Sequence, residues 1–356
     1  MSWHNIEVSS LNTNIWGHVI GQGTKIIKNV SGSCKPGTTM AIMGASGAGK
    51  TTLLNVLTGR NLSKFQVDGV VKINGKLSDV KTMKELTAYV QQEDLFISNL
   101  TVREHLIFQS MLRMDSKLPI SLKVKRINFV MSELSLFKCA DTKIGGGRSF
   151  KGISGGESKR LAFATEILTN PSIMFCDEPT SGLDAFMAHQ LISIVKKLAK
   201  RGRTIVCTIH QPATDTFELF DQLLLMADGR VAYMGPLKSV IDYFNNLGFR
   251  CPNNYNPADY FIKEMAIIPG KEYECKNKIT VICDYYSSKN PAEHLGNISS
   301  FVTNDHKNEI NANVVQQFQA LIWRSWKTTL RDPILTYVRL SQAFVSLINF
   351  FIFYIF

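Results

Sequence analysis

The stretch from Met40 to Thr52, MAIMGASGAGKTT, decides the fold. Four apolar residues lead into a loop that matches G-x-x-x-x-G-K-S/T, and the apolar spacing then becomes helical. Glycines let backbone N–H groups surround phosphate oxygens, and the start of a helix adds a favourable dipole. This order of strand, loop and helix predicts a site for a nucleoside phosphate. The predicted binding residues are Gly44, Ala45, Ser46, Gly47, Ala48, Gly49, Lys50, Thr51 and Thr52.

A second buried strand ends in two acids. The stretch from Ser172 to Glu178 is SIMFCDE. Asp177 stands at the carboxyl end of this strand, where it can hold Mg²⁺, and Glu178 can polarise an attacking water. Lys50 would neutralise the β- and γ-phosphates, and the Thr51 hydroxyl would reach the Mg²⁺. Taken alone, the acidic strand is a weak signal, because many buried strands simply lead into a solvated loop.

Length and composition limit the class of protein. The chain has 356 residues, of which 45% are hydrophobic and 19% charged. These values exclude collagen-like and disordered chains and fit one or two folded domains. The net charge of +11 permits a phosphate ligand or an anionic membrane surface but selects neither. Seven scattered cysteines without a CxxC pair predict reduced thiols and no zinc site, and no secretory signal peptide is expected.

The predicted elements alternate between strands and helices, which indicates a parallel sheet. Thr101 and Glu104 have the spacing of a capping box and open a mainly helical region that reaches about Phe150. We predict strands at Ile26 to Val30, Met40 to Met43, Ile173 to Cys176 and Thr204 to Ile209, a helix from Ala185 to Lys200, and a hairpin from Gln222 to Met234 that turns at Asp228-Gly229.

The last third of the chain changes character. Residues 270–311 are polar and lack a sustained apolar period, which predicts a linker with partial order. From about Asn311 to Leu330 a basic amphipathic pattern returns, and such a helix either lies on a membrane surface or packs on the rest of the protein. Leu340 to Phe356 is 17 residues without a charge, close to the ~20 apolar residues of a membrane span. The apolar face of the amphipathic segment comprises Val315, Phe318, Leu321, Ile322 and Trp326.

The octapeptide ISGGESKR, residues 153–160, precedes the acidic strand. S-G-G-E between a phosphate loop and a D-E-P-T-S-G-L-D strand end resembles the signature of ABC-type ATPases. The resemblance implies ATP and Mg²⁺ as cofactors and a head-to-tail dimer that holds two ATP molecules. In such a dimer the signature residues Ser154, Gly155, Gly156 and Glu157 close over the γ-phosphate held by the other subunit.

Three smaller elements extend this resemblance. Gln92 resembles the Q-loop glutamine that contacts Mg²⁺, with Gln91 as the competing assignment, and Thr51, Gln92 and Asp177 would together organise the metal. His210 resembles the switch histidine that holds the γ-phosphate, so that Glu178 and His210 form the catalytic pair. No adenine-stacking aromatic residue is evident, and we exclude Trp16 from the predicted site because its spacing is uncertain. The residues that resemble the D-loop between the two sites are Ser181, Gly182, Leu183 and Asp184.

Further motifs resemble subfamily G of the ABC transporters, and most of all its White–Brown–Scarlet group. They are VREHL at 102–106, TIHQP at 208–212 and NPADY at 256–260. The resemblance implies a half-transporter that works as a homodimer or a heterodimer with another such subunit. It would couple ATP hydrolysis to transport of a small organic or lipid-like substrate, of the pigment-precursor or sterol type.

The same resemblance predicts the architecture. The fold class is α/β, a P-loop ABC-type nucleotide-binding domain with a parallel or mixed sheet, additional antiparallel strands and a helical subdomain. The ATP-binding domain would cover residues 1–269, with the helical subdomain at about 100–152. A polar linker (270–310), an amphipathic connecting helix (311–332) and the start of the transmembrane domain (333–356) would follow. The full-length form would cross the membrane several times.

The cationic residues before the apolar stretch indicate that the ATPase domain is cytoplasmic, because positive flanks stay on that side. They are Arg324, Lys327, Arg331 and Arg339. The chain ends inside the first expected membrane helix, so we interpret it as truncated. One alternative function is therefore a non-transporting regulatory partner of a full-length half-transporter. A less favoured alternative is a soluble ABC ATPase acting on nucleic acid, but no tandem ATPase domains or long coiled coil accompany the basic charge, and we expect no nucleic-acid partner.

Overall fold

The computed structural model describes residues 1–13, 19–93, 95–145, 152–290, 312–331 and 333–355. The chain forms two compact units. Unit 1 comprises Met1–Glu93 and Asn170–Asn308, and unit 2 comprises Asp94–Thr169 and Glu309–Phe356. The strands are β1 (Ser2–Thr13), β2 (Val19–Ser33), β3 (Thr39–Gly44), β4 (Phe65–Ile73), β5 (Lys76–Leu77), β6 (Thr87–Val90), β7 (Ile173–Cys176), β8 (Thr204–Thr208), β9 (Gln222–Ala227) and β10 (Arg230–Pro236).

The helices complete the element order. They are α1 (Lys50–Thr58), α2 (Val80–Leu86), α3 (Val102–Arg113), α4 (Ile120–Glu133), α5 (Gly155–Ile167), α6 (Ala185–Lys200), α7 (Thr214–Phe217), α8 (Val240–Asn246), α9 (Pro257–Glu264), α10 (Glu272–Lys289), α11 (Val314–Leu330) and α12 (Pro333–Ile355). The strands belong to unit 1, whereas α3, α4, α5, α11 and α12 belong to unit 2.

The main sheet of unit 1 has the strand order β10-β9-β3-β8-β7-β6. Strands β3, β8, β7 and β6 are neighbours and run parallel, so their carboxyl ends meet at one edge of the sheet. Every residue of these four strands is buried, as expected for a parallel sheet that is covered on both faces. Strand β9 also pairs parallel to β3, while β10 is antiparallel to β9. The sheet is therefore mixed, within the predicted fold class.

A second, antiparallel sheet has the order β2-β1-β4-β5 and shares a hydrophobic core with the main sheet and α1. Trp3 of β1, Leu53 of α1 and Phe175 of β7 are fully buried in this core. Burial of each such side chain contributes roughly 1.5–3 kcal/mol. The loop between β3 and α1 is therefore held in place by two elements that pack in this core.

Local predictions hold in several places. Helix α6 has the predicted bounds, and the predicted hairpin is formed by β9 and β10. Its turn residues Asp228 and Gly229 both have positive φ, at 47° and 74°, as a two-residue type I′ turn requires. The capping box of α3 is confirmed, since Glu104 N–H donates to Thr101 Oγ1 and Thr101 N–H donates to Glu104 Oε2.

The segment predicted as a polar linker differs from that prediction, because it contains the 18-residue helix α10. This helix contacts strand β10, and Arg230 of β10 forms an ion pair with Asp284. Its four buried residues recur at helical spacing (i, i+4, i+7, i+8), but only two of them are aliphatic and most other residues of the segment are polar, so the sequence signal was weak. Residues 291–311 of the predicted linker lie outside the described residues. The buried residues of α10 are Cys275, Ile279, Ile282 and Cys283.

Within unit 2, helix α11 packs on α3 through its polar face. Arg331 donates to both carboxylate oxygens of Glu104, at 2.5 and 2.9 Å, and the guanidinium of Arg324 stacks over Phe108 at 5.3 Å. Ala320 lies on the same face and is fully buried. The predicted apolar face of α11 is exposed on the other side. In the described part of the chain, α12 is the helix long and apolar enough to cross a membrane, over Tyr337–Tyr354.

Candidate functional site

The predicted site residues of unit 1 follow four neighbouring strands at the carboxyl edge of the main sheet. The phosphate loop follows β3, His210 comes two residues after β8, Asp177 directly follows β7, and Gln92 comes two residues after β6. Ligand sites of α/β sheets form at such edges, because the loops there converge. The topology therefore brings together residues that are up to 166 positions apart in the sequence, from Gly44 to His210.

The phosphate loop encloses the Lys50 ammonium. Lys50 Nζ donates to the carbonyl oxygens of Gly44 and Ala45, at 2.9 and 3.0 Å, and the side chain is almost completely buried. Burial lowers the pKa of Lys50, and the nearby carboxylates of Glu178 and Asp177 oppose that shift. The first residue of α1 is Lys50, so the amides at the start of this helix face the same loop. A buried cation beside a helix N-terminus suits a phosphate group.

Two oxygen donors of the kind that Mg²⁺ prefers meet beside this loop. Thr51 Oγ1 donates to Asp177 Oδ1 at 3.3 Å. Hydroxyl and carboxylate oxygens are hard ligands, and Mg²⁺ bound to nucleotides is commonly held by one or two such groups together with phosphates. Thr51 and Asp177 therefore fit a magnesium ion at this position.

The Asp177 carboxylate is held by two further hydroxyl groups. Thr208 Oγ1 donates to Asp177 Oδ1 at 2.7 Å, and the Tyr89 hydroxyl donates to Asp177 Oδ2 at 3.1 Å. Burial, followed by the Asp177 charge, raises the pKa of Tyr89. Tyr89 is therefore a neutral hydrogen-bond donor.

Glu178 has a left-handed backbone, with φ 43°. Its N–H donates to Thr208 Oγ1 at 2.8 Å, and its carboxylate oxygen Oε2 accepts a 2.9 Å hydrogen bond from Gln92 Nε2. Glu178 is half-buried, whereas Gln92 is exposed. The structure thus joins the acid predicted to act on water to the predicted Q-loop glutamine.

A cavity of about 530 Å³ opens beside Glu178. The predicted D-loop residues Ser181, Gly182 and Leu183 line it together with His210. Asp184, the fourth predicted D-loop residue, caps α6, because its Oδ1 accepts the Met187 N–H at 2.9 Å. The cavity is large enough for several water molecules or a small ligand group.

The predicted signature forms the start of α5 in unit 2, while the other predicted site residues belong to unit 1. Ser154 and Glu157 make a capping box: the Glu157 N–H donates to Ser154 Oγ at 3.2 Å, and the Ser154 N–H donates to Glu157 Oε2 at 2.8 Å. Gly155 is exposed at the first turn. The amides of this turn therefore stand at a capped and ordered helix N-terminus. Trp16 lies outside the described residues.

For three residues in contact with the site, the sequence did not predict a role. Tyr89 and Thr208 hold Asp177, and Asn256 donates through Nδ2 to the Pro212 carbonyl oxygen, at 2.8 Å, in the loop after His210. Each has a polar side chain at the end of an apolar strand or at a helix N-cap, which is the signal that could have identified it.

Sequence comparison adds two matching family profiles. Residues 27–181 match the profile described as ABC transporter, and residues 210–283 match the profile described as ABC-2 type transporter.

Curated relatives are similar over most of the chain. The protein White of Drosophila melanogaster is 46% identical over 335 residues, covering 92% of this chain and 49% of the relative. The ATP-binding protein/permease wht-1 of Caenorhabditis elegans is 43% identical, covering 92% of this chain and 52% of the relative. Scarlet of Drosophila melanogaster is 39% identical, and the match covers 93% of this chain and 51% of the relative. The chain spans about half the length of these relatives.

Among solved structures, CbiO1 of Clostridium perfringens, part of the ABC transporter complex cbiONQ, has a TM-score of 0.55 at 24% identity. The structural match covers 74% of this chain and 99% of the CbiO1 chain, so the two chains share the fold. The sheet topology, the phosphate loop and these matches agree with one another. The chain therefore belongs to subfamily G of the ABC transporter family and carries the nucleotide-binding ATPase domain of that family.

Proposed function

We propose that this chain supplies the ATP-hydrolysing part of a half-transporter that moves a small organic or lipid-like substrate across a membrane. The observation that carries the proposal is the convergence of Lys50, Thr51, Asp177 and Glu178 at one edge of the sheet. A buried ammonium, a metal-binding pair and an adjacent carboxylate are the groups that phosphoryl transfer to water requires. Pigment precursors and sterols are the substrate types that the White resemblance suggests.

Each residue has an assigned role in this proposal. The amides from Gly44 to Thr52 and the Lys50 ammonium bind the phosphates. Thr51, Asp177 and Gln92 hold Mg²⁺, which when bound would offset the negative charge of the phosphates. Glu178 orients a water and accepts its proton, and His210 donates a hydrogen bond to the γ-phosphate.

The dimer belongs to the same proposal. Ser154, Gly155, Gly156 and Glu157 of one subunit would complete the ATP site of the other, with Ser181, Gly182, Leu183 and Asp184 between the two sites. The exposed positions of Ser154 and Gly155 at the start of α5 support this role, because amides at a helix N-terminus bind anions. The partner is a second copy of this chain or another subfamily G half-transporter.

Glu178→Gln tests the hydrolytic assignment. We expect this variant to bind ATP as the parent does but to lose at least about 100-fold in turnover, because an amide cannot accept the proton. Lys50→Ala should instead weaken the binding of a fluorescent ATP analogue, measured by titration. Glu218→Gln, an exposed acid elsewhere in unit 1, is the matched control and should hydrolyse ATP normally. Parent-like turnover by Glu178→Gln would refute its assigned role.

We also propose a membrane location, with the ATPase domain on the cytoplasmic side and several spans in the full-length form. Exposed Phe318, Ile322 and Trp326 on α11, together with the exposed apolar surface of α12, support membrane contact. The chain should stay in the membrane fraction after an alkaline wash, and a variant that ends before α12 should be released more readily. Complete release of the full chain would contradict the proposal.

A further inference from the structure

The Thr208 hydroxyl contacts both acids of the proposed site. It donates to Asp177 Oδ1 at 2.7 Å and accepts the Glu178 backbone N–H at 2.8 Å. Thr208 is fully buried at the end of β8, and the pairing of Cys207 with Cys176 sets it beside Asp177. One hydroxyl group therefore fixes the carboxylate assigned to the metal and the backbone of the residue assigned to water.

The backbone of Glu178 needs such an anchor. A left-handed conformation costs a non-glycine residue roughly 1–2 kcal/mol, and it persists only where surrounding contacts enforce it. The φ of Glu178 is 43°, and the Thr208 hydroxyl is the acceptor for its N–H. Removal of this acceptor would release the backbone that aims the Glu178 side chain.

Tyr89 holds the opposite oxygen of the same carboxylate. Its hydroxyl donates to Asp177 Oδ2 at 3.1 Å, and the guanidinium of Arg60 stacks over its ring at 5.4 Å. Tyr89 lies in β6 and Thr208 in β8, on either side of β7, which ends at Asp177. Since each carboxylate oxygen accepts a hydrogen bond from a different strand, rotation of the carboxylate is restricted.

We propose that Thr208 and Tyr89 are positioning residues for ATP hydrolysis, which orient Asp177 toward the metal and, through Thr208, hold Glu178 toward the water. This inference rests on the proposed function. Groups that hold a metal ligand in place typically change metal affinity or activity by about 10–100-fold when they are removed.

The test uses three variants of the full chain: Thr208→Val, Thr208→Ser and Tyr89→Phe. Valine has the shape of threonine without the hydroxyl, serine keeps the hydroxyl, and phenylalanine removes only the phenolic oxygen. Mn²⁺ affinity in the presence of ATP is measured by electron paramagnetic resonance, and kcat and KM for ATP are measured alongside. Binding of a fluorescent ATP analogue without divalent metal is the control that should not change.

We expect Thr208→Val to lose about 10-fold or more in both Mn²⁺ affinity and kcat, and Thr208→Ser to recover most of both. Tyr89→Phe should weaken Mn²⁺ binding by roughly 3-fold or more, since it removes one of the hydrogen bonds that hold the metal ligand. KM for ATP should change less than kcat in each variant.

The outcomes separate the two proposals. A parent chain that neither binds Mn²⁺ with ATP nor hydrolyses ATP refutes the proposed function. A parent chain that does both, with Thr208→Val equal to it in Mn²⁺ affinity and kcat, overturns the positioning inference. If Thr208→Val fails to fold, Tyr89→Phe decides: parent-like Mn²⁺ affinity in that variant overturns the inference. A lower melting temperature without a change in Mn²⁺ affinity also overturns it, since that is the result of a merely structural role.

Discussion

At the scale of single residues, two glycines of the phosphate loop differ in what an added side chain would meet: a steric clash at Gly44, but only backbone strain at Gly47. Gly44 has φ 155°, and a Cβ built there would lie 2.2 Å from the Met226 carbonyl oxygen in β9. Gly47 has φ 79°, and a Cβ there would meet no described atom within 4 Å. Alanine at position 44 would thus force β3 and β9 apart. Alanine at position 47 would destabilise the protein only through its unfavourable backbone conformation.

We expect Gly44→Ala to lower the free energy of unfolding by roughly 3 kcal/mol or more, and Gly47→Ala by about 1 kcal/mol. Urea denaturation of the two variants beside the parent chain measures both values. Gly47→Ala is the matched control, because it makes the same chemical change in the same loop. Equal losses of stability would contradict the steric argument.

Individual residues of the site differ in whether the sequence could predict them. Lys50 and Asp177 were predictable, because a phosphate loop and an acidic strand end have fixed local patterns. Tyr89 and Thr208 were not, because their contact with Asp177 depends on which strands are neighbours in the sheet. The role of a hydroxyl group at the end of a buried strand cannot be predicted until the order of the strands in the sheet is known.

At the scale of secondary-structure elements, periodicity predicts helices well when the apolar face is broad. Helix α6 has the predicted bounds, because its apolar residues recur through 16 positions. Helix α10 was missed, because only two of its four buried residues are aliphatic and most of its other residues are polar. For α11 the pattern predicted the helix but did not decide whether it lies on a membrane surface or packs on the rest of the protein. The structure shows packing on α3 by the polar face, which the apolar pattern could not reveal.

The contact between α11 and α3 depends on one carboxylate. Burial alone would raise the pKa of Glu104, but hydrogen bonds from Arg331, from the Thr101 backbone and from Lys327 outweigh it and lower the pKa to about 2. A carboxylate whose pKa falls on folding stabilises the fold above its ordinary pKa of 4.5, and this contribution is lost as the pH falls toward 2. The ion pair should therefore hold α11 on α3 at neutral pH.

A double-mutant cycle with Glu104→Gln and Arg331→Gln measures this pair. Glutamine at 104 can still close the capping box with Thr101, so the cycle isolates the ion pair from the cap. We expect a coupling energy of about 1–3 kcal/mol at pH 7, read from hydrogen exchange of the α11 amides, and a smaller value near pH 3.

The exposed pair of Lys25 and Glu7, 2.9 Å apart, is the matched control for this cycle. Its coupling should be below about 1 kcal/mol, because exposed ion pairs are screened by water and salt. Equal coupling energies for the two pairs would show that the Glu104 contact does not hold α11.

At the scale of the whole molecule, the proposed dimer would share each ATP site between two subunits. Unit 1 holds the phosphate loop and both acids, and unit 2 holds the signature. If each ATP is bound by the phosphate loop of one subunit and the signature of the other, two defective variants can repair one another. A Lys50→Ala dimer and a Gly155→Asp dimer each contain two broken sites. A mixed dimer contains one intact site, formed by the phosphate loop of the second chain and the signature of the first.

Mixing the two inactive variants should therefore restore ATP hydrolysis, to at most about a quarter of the parent rate when chains pair at random. Half of the dimers are then mixed, and each has one working site of two. Turnover per molecule of the parent chain should also fall on dilution, in parallel with the dimer fraction measured by analytical ultracentrifugation. Two Lys50→Ala preparations mixed together are the control and should stay inactive. No recovery in the mixture, or undiminished turnover by a strictly monomeric chain, would show that a single subunit contains a complete site.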